Sequence, residues 1–564
     1  MWNITEAELA KYNLKVRRDK SFVLPLCFNH EDESEVHMYP EGVQLLSEGF
    51  KSLGIPIGTE DYIEKHLQKK LEKNEGLIKG IEEIEDLQIA GLLLRYCANA
   101  RINYWNRMIP PQSLAKQAFL KHHDAQILNC FQKINYISSI DESQKNQIAL
   151  PLVMGGMGLL SAHQHSASAY IGSVTESVRE IWERNKNQHF MPDDFQKMEN
   201  FNWIQIAKEN WNSLNQMLKS QDSNFEGLEP WNINELCIST TYFDFISQGD
   251  AEPPKQRMQS YLSHLINSAQ LQNLLSNNNE RFKTRILSAG GVGSAGFLYA
   301  IPKNPTLTMS NIQMEVAIKL RIGSDIIMEN EGIAKCFCGA YIDKFGDHLL
   351  VCKQGSEKYT RHNMWLHSWE RLIKKSSSPS LALEKPLYVL GITDSRNSNK
   401  RIDLIEYKST DQSIMADVSI THPTSVQYSN NLITKPGYAA DIRQKAKHSK
   451  YDESAKKLNM KFVPLIAESY GRLGSETLAF AKQKINELAT IYSTSGPKID
   501  SRIQQKLSIL WWSTLSVSLQ KGNVHIIMSK KTKIKSDENS GCHHFRVFDM
   551  NDIYLQRFAL YGKI

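Results

Sequence analysis

Apolar positions recur at helical spacing along the first third of the chain. Between Tyr62 and Arg107, Ile63, Leu67 and Leu71 repeat every four residues, and Leu87, Gly91, Leu94 and Cys97 mark a second stripe. Both stripes predict helices packed on a core. Pro110-Pro111 ends the run, because proline has no amide hydrogen to donate and clashes with the preceding turn. The segment from Pro151 to Gly158 reads as a turn-rich interruption ahead of a helix from Ser161 to Asn185. From Met191 to Asn279 the chain is rich in Asn, Gln and Ser yet helical in pattern, with Trp203, Trp211 and Trp231 as core anchors. After Glu331 a cysteine cluster, short β-type runs and a basic helix predict a small metal module followed by an α/β unit. Lys374 to Ser380 and Thr393 to Lys400 read as exposed loops. A last helix carries Trp511 and Trp512, and Ser529 to Ser540 reads as a mobile tail.

Length and composition set outer limits. At ~100–200 residues per domain, 564 residues make about three to five units, and 41% hydrophobic residues suffice for real cores. No run approaches the ~18 to 20 apolar residues of a membrane span, and Met1 to Glu6 show no leader pattern, so the expectation is a soluble, unsecreted protein with no membrane partner. Eight cysteines are too sparse for a disulfide scaffold. The small-residue run Ser288 to Gly296 contains G-x-G-x-x-G, but the residues after it lead to Pro302, so it reads as a tight connector and not a phosphate loop.

Three of the cysteines fall within seventeen residues. Cys336-Phe337-Cys338, nine intervening residues, His348, three more, and Cys352 supply three thiolates and an imidazole. Zinc takes four such ligands tetrahedrally, and a helix through Val351 would bring His348 and Cys352 to one face. With every position filled by protein, the zinc would be structural. Cys542-His543-His544 is a weaker metal tract without companions.

Downstream, Arg401 to Tyr407 and Ile414 to Ile420 read as strands, with thirteen residues between Asp403 and Asp417. Two carboxylates on adjacent strands can converge on Mg²⁺ or Mn²⁺. After Gly437, Arg443, Lys447, Lys450 and Tyr451 share one helix face, where cations can meet a phosphate. Lys435 to Lys461 holds eight Lys/Arg against three Asp/Glu, a local +5 beside +6 for the whole chain. Glu384 is either a third acid or an exposed strand-end charge. Arg361 and His362 read as phosphate contacts or packing residues on the helix of Trp365 and Trp369.

In this order the residues resemble the restriction-enzyme-like endonuclease at the C-terminus of some non-long-terminal-repeat retrotransposon reverse transcriptases: a Cys/His knuckle, an Arg-His pair and a PD-(D/E)XK core. In that pattern a proline precedes the first acid, whereas here Ile402 precedes Asp403, and Ser419 stands where a lysine is expected. Related nucleases take that lysine from the next helix, which would carry its role to Lys447 or Lys450, with Lys445 as a third choice. Upstream, Asn13 to Val16, Lys20-Ser21 and Leu53 to Gly58 look like the end of a polymerase palm, and Leu87 to Arg107 like its thumb. No Tyr-x-Asp-Asp box occurs in the chain. The expectation is a truncated or domesticated element product, or a partial gene product, that does not polymerise by itself.

The resemblance implies an α+β, multidomain chain: palm remnant 1–60, helical thumb-like region 61–185, helical linker 186–330, zinc knuckle 331–360, α/β endonuclease 361–492, and C-terminal helix and tail 493–564. It implies a Mg- or Mn-dependent endonuclease that nicks DNA in the nucleus, with element RNA as a further partner. Asp403 and Asp417 would hold the catalytic metal, with Glu384 and Lys447 or Lys450 assisting. Arg361, His362, Arg443, Lys445 and Tyr451 would contact nucleic acid. The alternative is an inactive remnant that binds nucleic acid, and a third reading is a structural protein with a zinc-stabilised fold. Oligomeric state is not legible.

Overall fold

Helical periodicity becomes helical structure through most of the first 330 residues, and the chain as a whole is α+β. The computed structural model describes residues 2–17, 20–23, 43–185, 200–232, 258–327, 335–377, 380–392, 400–408, 412–425, 428, 435–493 and 500–539. After α1 (Trp2–Ala10), β1 (Phe22–Val23) and β2 (Gln44–Leu45) pair in parallel. Strands β3 (Gly49–Ser52) and β4 (Ile55–Gly58) form an antiparallel hairpin. Its turn residues Leu53 and Gly54 take φ of 47° and 88°, the left-handed geometry that suits strand twist.

Helix α2 (Glu60–Glu82) starts at Thr59, whose side chain accepts the Tyr62 amide, and it buries Ile63, Leu67 and Leu71. The second stripe is interrupted. Asp86 caps α3 (Leu87–Leu93), and Leu94–Ala98 then winds as a π-turn. The wider turn shifts the buried face, so Arg95 and Ala98 point inward and Cys97, expected on the stripe, is exposed. Helix α4 (Asn103–Met108) closes the segment ahead of Pro110-Pro111. Next come α5 (Leu114–Ile134), α6 (Glu142–Ile148), α7 (Ser166–Asn185), α8 (Asn202–Gln221) and α9 (Met258–Asn277). Trp211 is fully buried, with Trp231 edge-on at 5.8 Å and Trp203 partly buried beside it.

Helix α10 (Glu280–Ala289) leads into the small-residue run, then α11 (Gly296–Tyr299) and α12 (Asn311–Ile322). The run follows a helix, not a strand, and it serves close packing. A Cβ on Gly296 would stand 2.1 Å from the Trp512 carbonyl oxygen. Arg321 on α12 donates to the carbonyls of Gly156, Ala289 and Leu152, pinning the Pro151–Gly158 turn to this junction.

The last third holds α13 (Asp347–Val351), α14 (Glu357–Ser377), β5 (Ser380–Pro386), β6 (Arg401–Tyr407), β7 (Ile414–Thr421), α15 (Tyr438–Lys457), β8 (Lys461–Glu468), α16 (Ser475–Tyr492) and α17 (Ser501–Asn539). The sheet runs β5-β6-β7-β8; the first two pairings are antiparallel, and β8 lies parallel to β7 through the α15 crossover. Helices α14 and α16 cover one face with Trp365, Trp369 and Phe480, while Tyr451 and Ala455 of α15 pack on Ile405 and Met415 of the other. On the first face, Lys484 of α16 pairs with Glu406 of β6, both fully buried.

Helix α17 joins these parts. Its 39 residues span about 58 Å at ~1.5 Å per residue. Trp511 and Leu515 enter the core of the sheet, and Val524, Ile527 and Ile534 enter the core built by α2, α5 and α12. The expected tail at Ser529 to Ser540 is therefore corrected: through Asn539 it continues the helix, with Lys530 and Ile534 buried. Buried on nearly every side, α17 shows no single apolar stripe to read. Among the described residues, no helix is long and apolar enough to cross a membrane.

Candidate active site and metal centre

The knuckle is built locally. Lys335 bridges to Tyr341, the Cys336 amide donates to the Ala340 carbonyl, and Gly339 turns the chain at φ 83°. Asp343 accepts the amides of Phe345, Asp347 and His348, which starts α13 and aims His348 back at the turn. The Sγ atoms of Cys336 and Cys352 lie 3.6 Å apart, and Cys338 Sγ lies 3.2 Å from His348 Nε2. All four ligand atoms fall within 4.8 Å of one another. A tetrahedral ion with ~2.3 Å bonds to sulfur separates its ligand atoms by about 3.5 to 3.8 Å, so this set suits a metal such as zinc. Cys542-His543-His544 lies outside the described residues.

Asp347, next to His348, joins the knuckle to its surroundings. Its carboxylate accepts from Arg281 of α10 at 2.7 Å, from the Tyr470 hydroxyl at 2.8 Å and from Thr424, just past β7, at 3.2 Å. Burial opposes its charge, but His422 and Arg281 hold its pKa well below the usual carboxylate range.

Strand register assembles the acids. Leu383 pairs with Leu404 and Lys385 with Ile402, so Glu384 stands opposite Asp403. Leu404 pairs with Ala416, so Asp403 stands opposite Asp417 one residue farther along. Asp403 and Asp417 therefore share one row, while Glu384, on the next strand, departs from extended backbone at φ 49°. Asp403 Oδ2 accepts the Val418 amide at 2.7 Å and lies 3.1 Å from His362 Nε2. Among the described residues its Oδ1 has no donor. Asp417 is 3% exposed and meets the Lys447 ammonium. Burial first, then the charge of Asp403, pushes the Asp417 pKa up, and Lys447 opposes the rise.

The acids open into a cleft of about 560 Å³ also lined by Lys358, Lys400, Arg443 and Lys450. Of the three lysines considered on α15, Lys447 sits at Asp417 and Lys450 over the Tyr451 ring at 4.6 Å, while Lys445 is exposed and outside the cleft. Arg443 donates to Ser419 Oγ at 2.8 Å, so Ser419, where the sequence comparison expected a lysine, holds a cation from the next helix.

Two residues expected on nucleic acid have inward roles. Arg361 is 3% exposed and donates to Asn523 of α17 at 2.9 Å, bracing the helix crossing. Tyr451 is 1% exposed, and its hydroxyl donates to the Arg401 carbonyl at 2.8 Å, so it forms cleft floor. Glu384 does not line the cleft; its carboxylate accepts the Tyr359 hydroxyl at 3.2 Å, and its φ of 49° is left-handed. His362 is more than a packing group. Burial opposes its imidazolium, yet the bond to Asp403 outweighs that and raises its pKa. Outside the cleft, burial lowers the Lys70 pKa, and so does repulsion from Lys51, from Lys73 one turn along the same helix, and from Arg101. A scan of the chain against protein-family models finds no match, and a search of curated proteins finds none.

Proposed function

We propose that this chain is a retroelement-derived, metal-dependent endonuclease that nicks DNA, with 361–492 as a PD-(D/E)XK-type nuclease and the knuckle as a zinc-held docking module. One observation carries the reading: Asp403 and Asp417 stand side by side on paired strands at the floor of a cleft whose walls are cationic. Two carboxylates, one with an oxygen free of donors, suit a hard divalent cation. Mg²⁺ or Mn²⁺ bound there would neutralise phosphate charge and acidify a water. Arg443 and Lys450 would hold the phosphodiester, and Lys447 would stabilise charge developing on the scissile phosphate while keeping Asp417 ionised. His362 orients Asp403 through its Oδ2, leaving Oδ1 toward the cleft. Cys336, Cys338, His348 and Cys352 fill all four positions of a zinc site and leave none for substrate, which fits a structural role. Nuclear location and an RNA partner belong to the same reading.

The test is nicking of supercoiled plasmid in Mg²⁺ or Mn²⁺ beside an Asp403→Ala/Asp417→Ala double variant. The parent should nick and the variant should not, with DNA binding retained. Nicking by both would remove the acids from the mechanism. The second reading, binding without cleavage, is favoured by Lys447, whose ammonium already occupies Asp417. Binding by both proteins with cleavage by neither would establish it.

A further inference from the structure

Tyr359 stands beside His362, which lines the cleft, with an exposed ring that is nonetheless held in place. It is 58% exposed. Its hydroxyl donates to Glu384, and its ring lies parallel to that of His362, within 7°, with centroids 6.3 Å apart. At 6.3 Å between centroids the two parallel rings are offset, so His362 covers one side of the tyrosine ring only in part. His362 in turn bonds Asp403. A broad aromatic surface is thus fixed with one residue, His362, between it and the Asp403 carboxylate, next to the cleft cation Lys358.

We propose that Tyr359 is a stacking platform for an unpaired nucleobase beside the cut, so that the site selects DNA that is open or distorted there. This rests on the endonuclease reading. A duplex keeps its bases stacked on one another and offers only backbone to a cationic cleft, whereas an unpaired base has a free face that an aromatic ring can cover. An unanchored tyrosine would lose rotamer freedom on binding. Here the bond to Glu384 has already restricted the ring, so the ordering cost at binding is small. The left-handed backbone of Glu384, an uncommon conformation for a side-chain-bearing residue, sets the acceptor that restrains the ring.

The experiment uses the full chain and DNA duplexes carrying 2-aminopurine either paired or in a short unpaired bubble, with Ca²⁺ in place of Mg²⁺ so that binding is read without cleavage. The parent should bind the bubble about tenfold tighter than the duplex and quench its fluorescence. Tyr359→Ala should lose both the preference and the quench, while Tyr359→Phe keeps the quench because the ring remains. Equal affinities for bubble and duplex in the parent, or a quench untouched by Tyr359→Ala, would overturn the platform. Absence of plasmid nicking in Mg²⁺ or Mn²⁺, with the bubble preference in Ca²⁺ intact, would instead overturn the nuclease reading and leave base stacking on Tyr359 standing.

Discussion

Replacing Lys484 with methionine tests how the sheet holds β6, the strand that carries Asp403. Lys484 Nζ donates to Glu406 Oε1 at 2.5 Å and to Glu487 at 2.9 Å, and neither Lys484 nor Glu406 has any exposed side-chain surface. Glu406 lies three residues from Asp403 on β6, on the opposite face of the strand, and among the described residues its Oε2 has no partner. Lys484→Met leaves that carboxylate uncompensated in an apolar core, a loss of about 3 to 5 kcal/mol. Glu406→Gln should cost less, because Lys484 keeps Glu487. With an m-value of ~2 kcal/mol/M in urea, 4 kcal/mol moves the midpoint down by about 2 M. Tryptophan fluorescence includes this unit, since Trp365, Trp369 and Trp511 share its core, and a Trp211→Phe background removes the buried tryptophan of the helical core from the signal. Glu406→Leu/Lys484→Met should recover most of the loss, because two apolar groups of similar volume leave no buried charge. A single variant within ~0.3 M of the parent, or a double variant no better than Lys484→Met, would refute the argument that the pair is a buried liability once broken.

Three further outcomes follow from the same geometry. Lys447→Met should lower plasmid nicking by about 100-fold and Lys445→Met by about threefold at most, because only the first meets Asp417; similar losses in both would disconnect nicking from the Asp417 contact. Purified protein should carry one zinc per chain by elemental analysis, and Cys352→Ser should release it and expose the segment 335–352 to protease; a metal-free parent with the same digestion pattern would count against the site. His123 and His165 are held at pKa values of about 4 by burial, so the unfolded chain binds more protons than the folded one between pH 4 and 6.5. Stability is complete above pH 6.5 and falls through that window, by about 3 kcal/mol per histidine at pH 4 (2.5 units at ~1.36 kcal/mol each). His165→Phe should therefore lose less melting temperature than the parent between pH 7 and pH 5, and identical pH profiles would show that His165 is not titrating from a buried neutral state.

Much of this protein is legible where the cause is local. The four residues of the candidate metal site are close in sequence, so spacing alone brings them together, and the β6 and β7 strands follow from short apolar runs. Amphipathic spacing placed Ile63, Leu67 and Leu71 on the core, and Gly437 preceded a helix whose basic face was countable. Long-range causes were not legible. Cys97 fell off its stripe because a π-turn changed the helical phase, which no fixed period anticipates. Glu384 stood next to Asp403 only once antiparallel register aligned β5 with β6, and register is set by pairing between segments. His362 met Asp403 through packing of α14 on the sheet edge, as Arg361 met Asn523 through its crossing with α17. The sequence by itself determined the Cys/His cluster, the strands and the basic helix, because backbone period and short loops act within a few residues. Which carboxylates share a row, which lysine reaches Asp417 and how α17 runs through two cores were decided by tertiary structure, because those contacts depend on close packing between segments far apart in the chain.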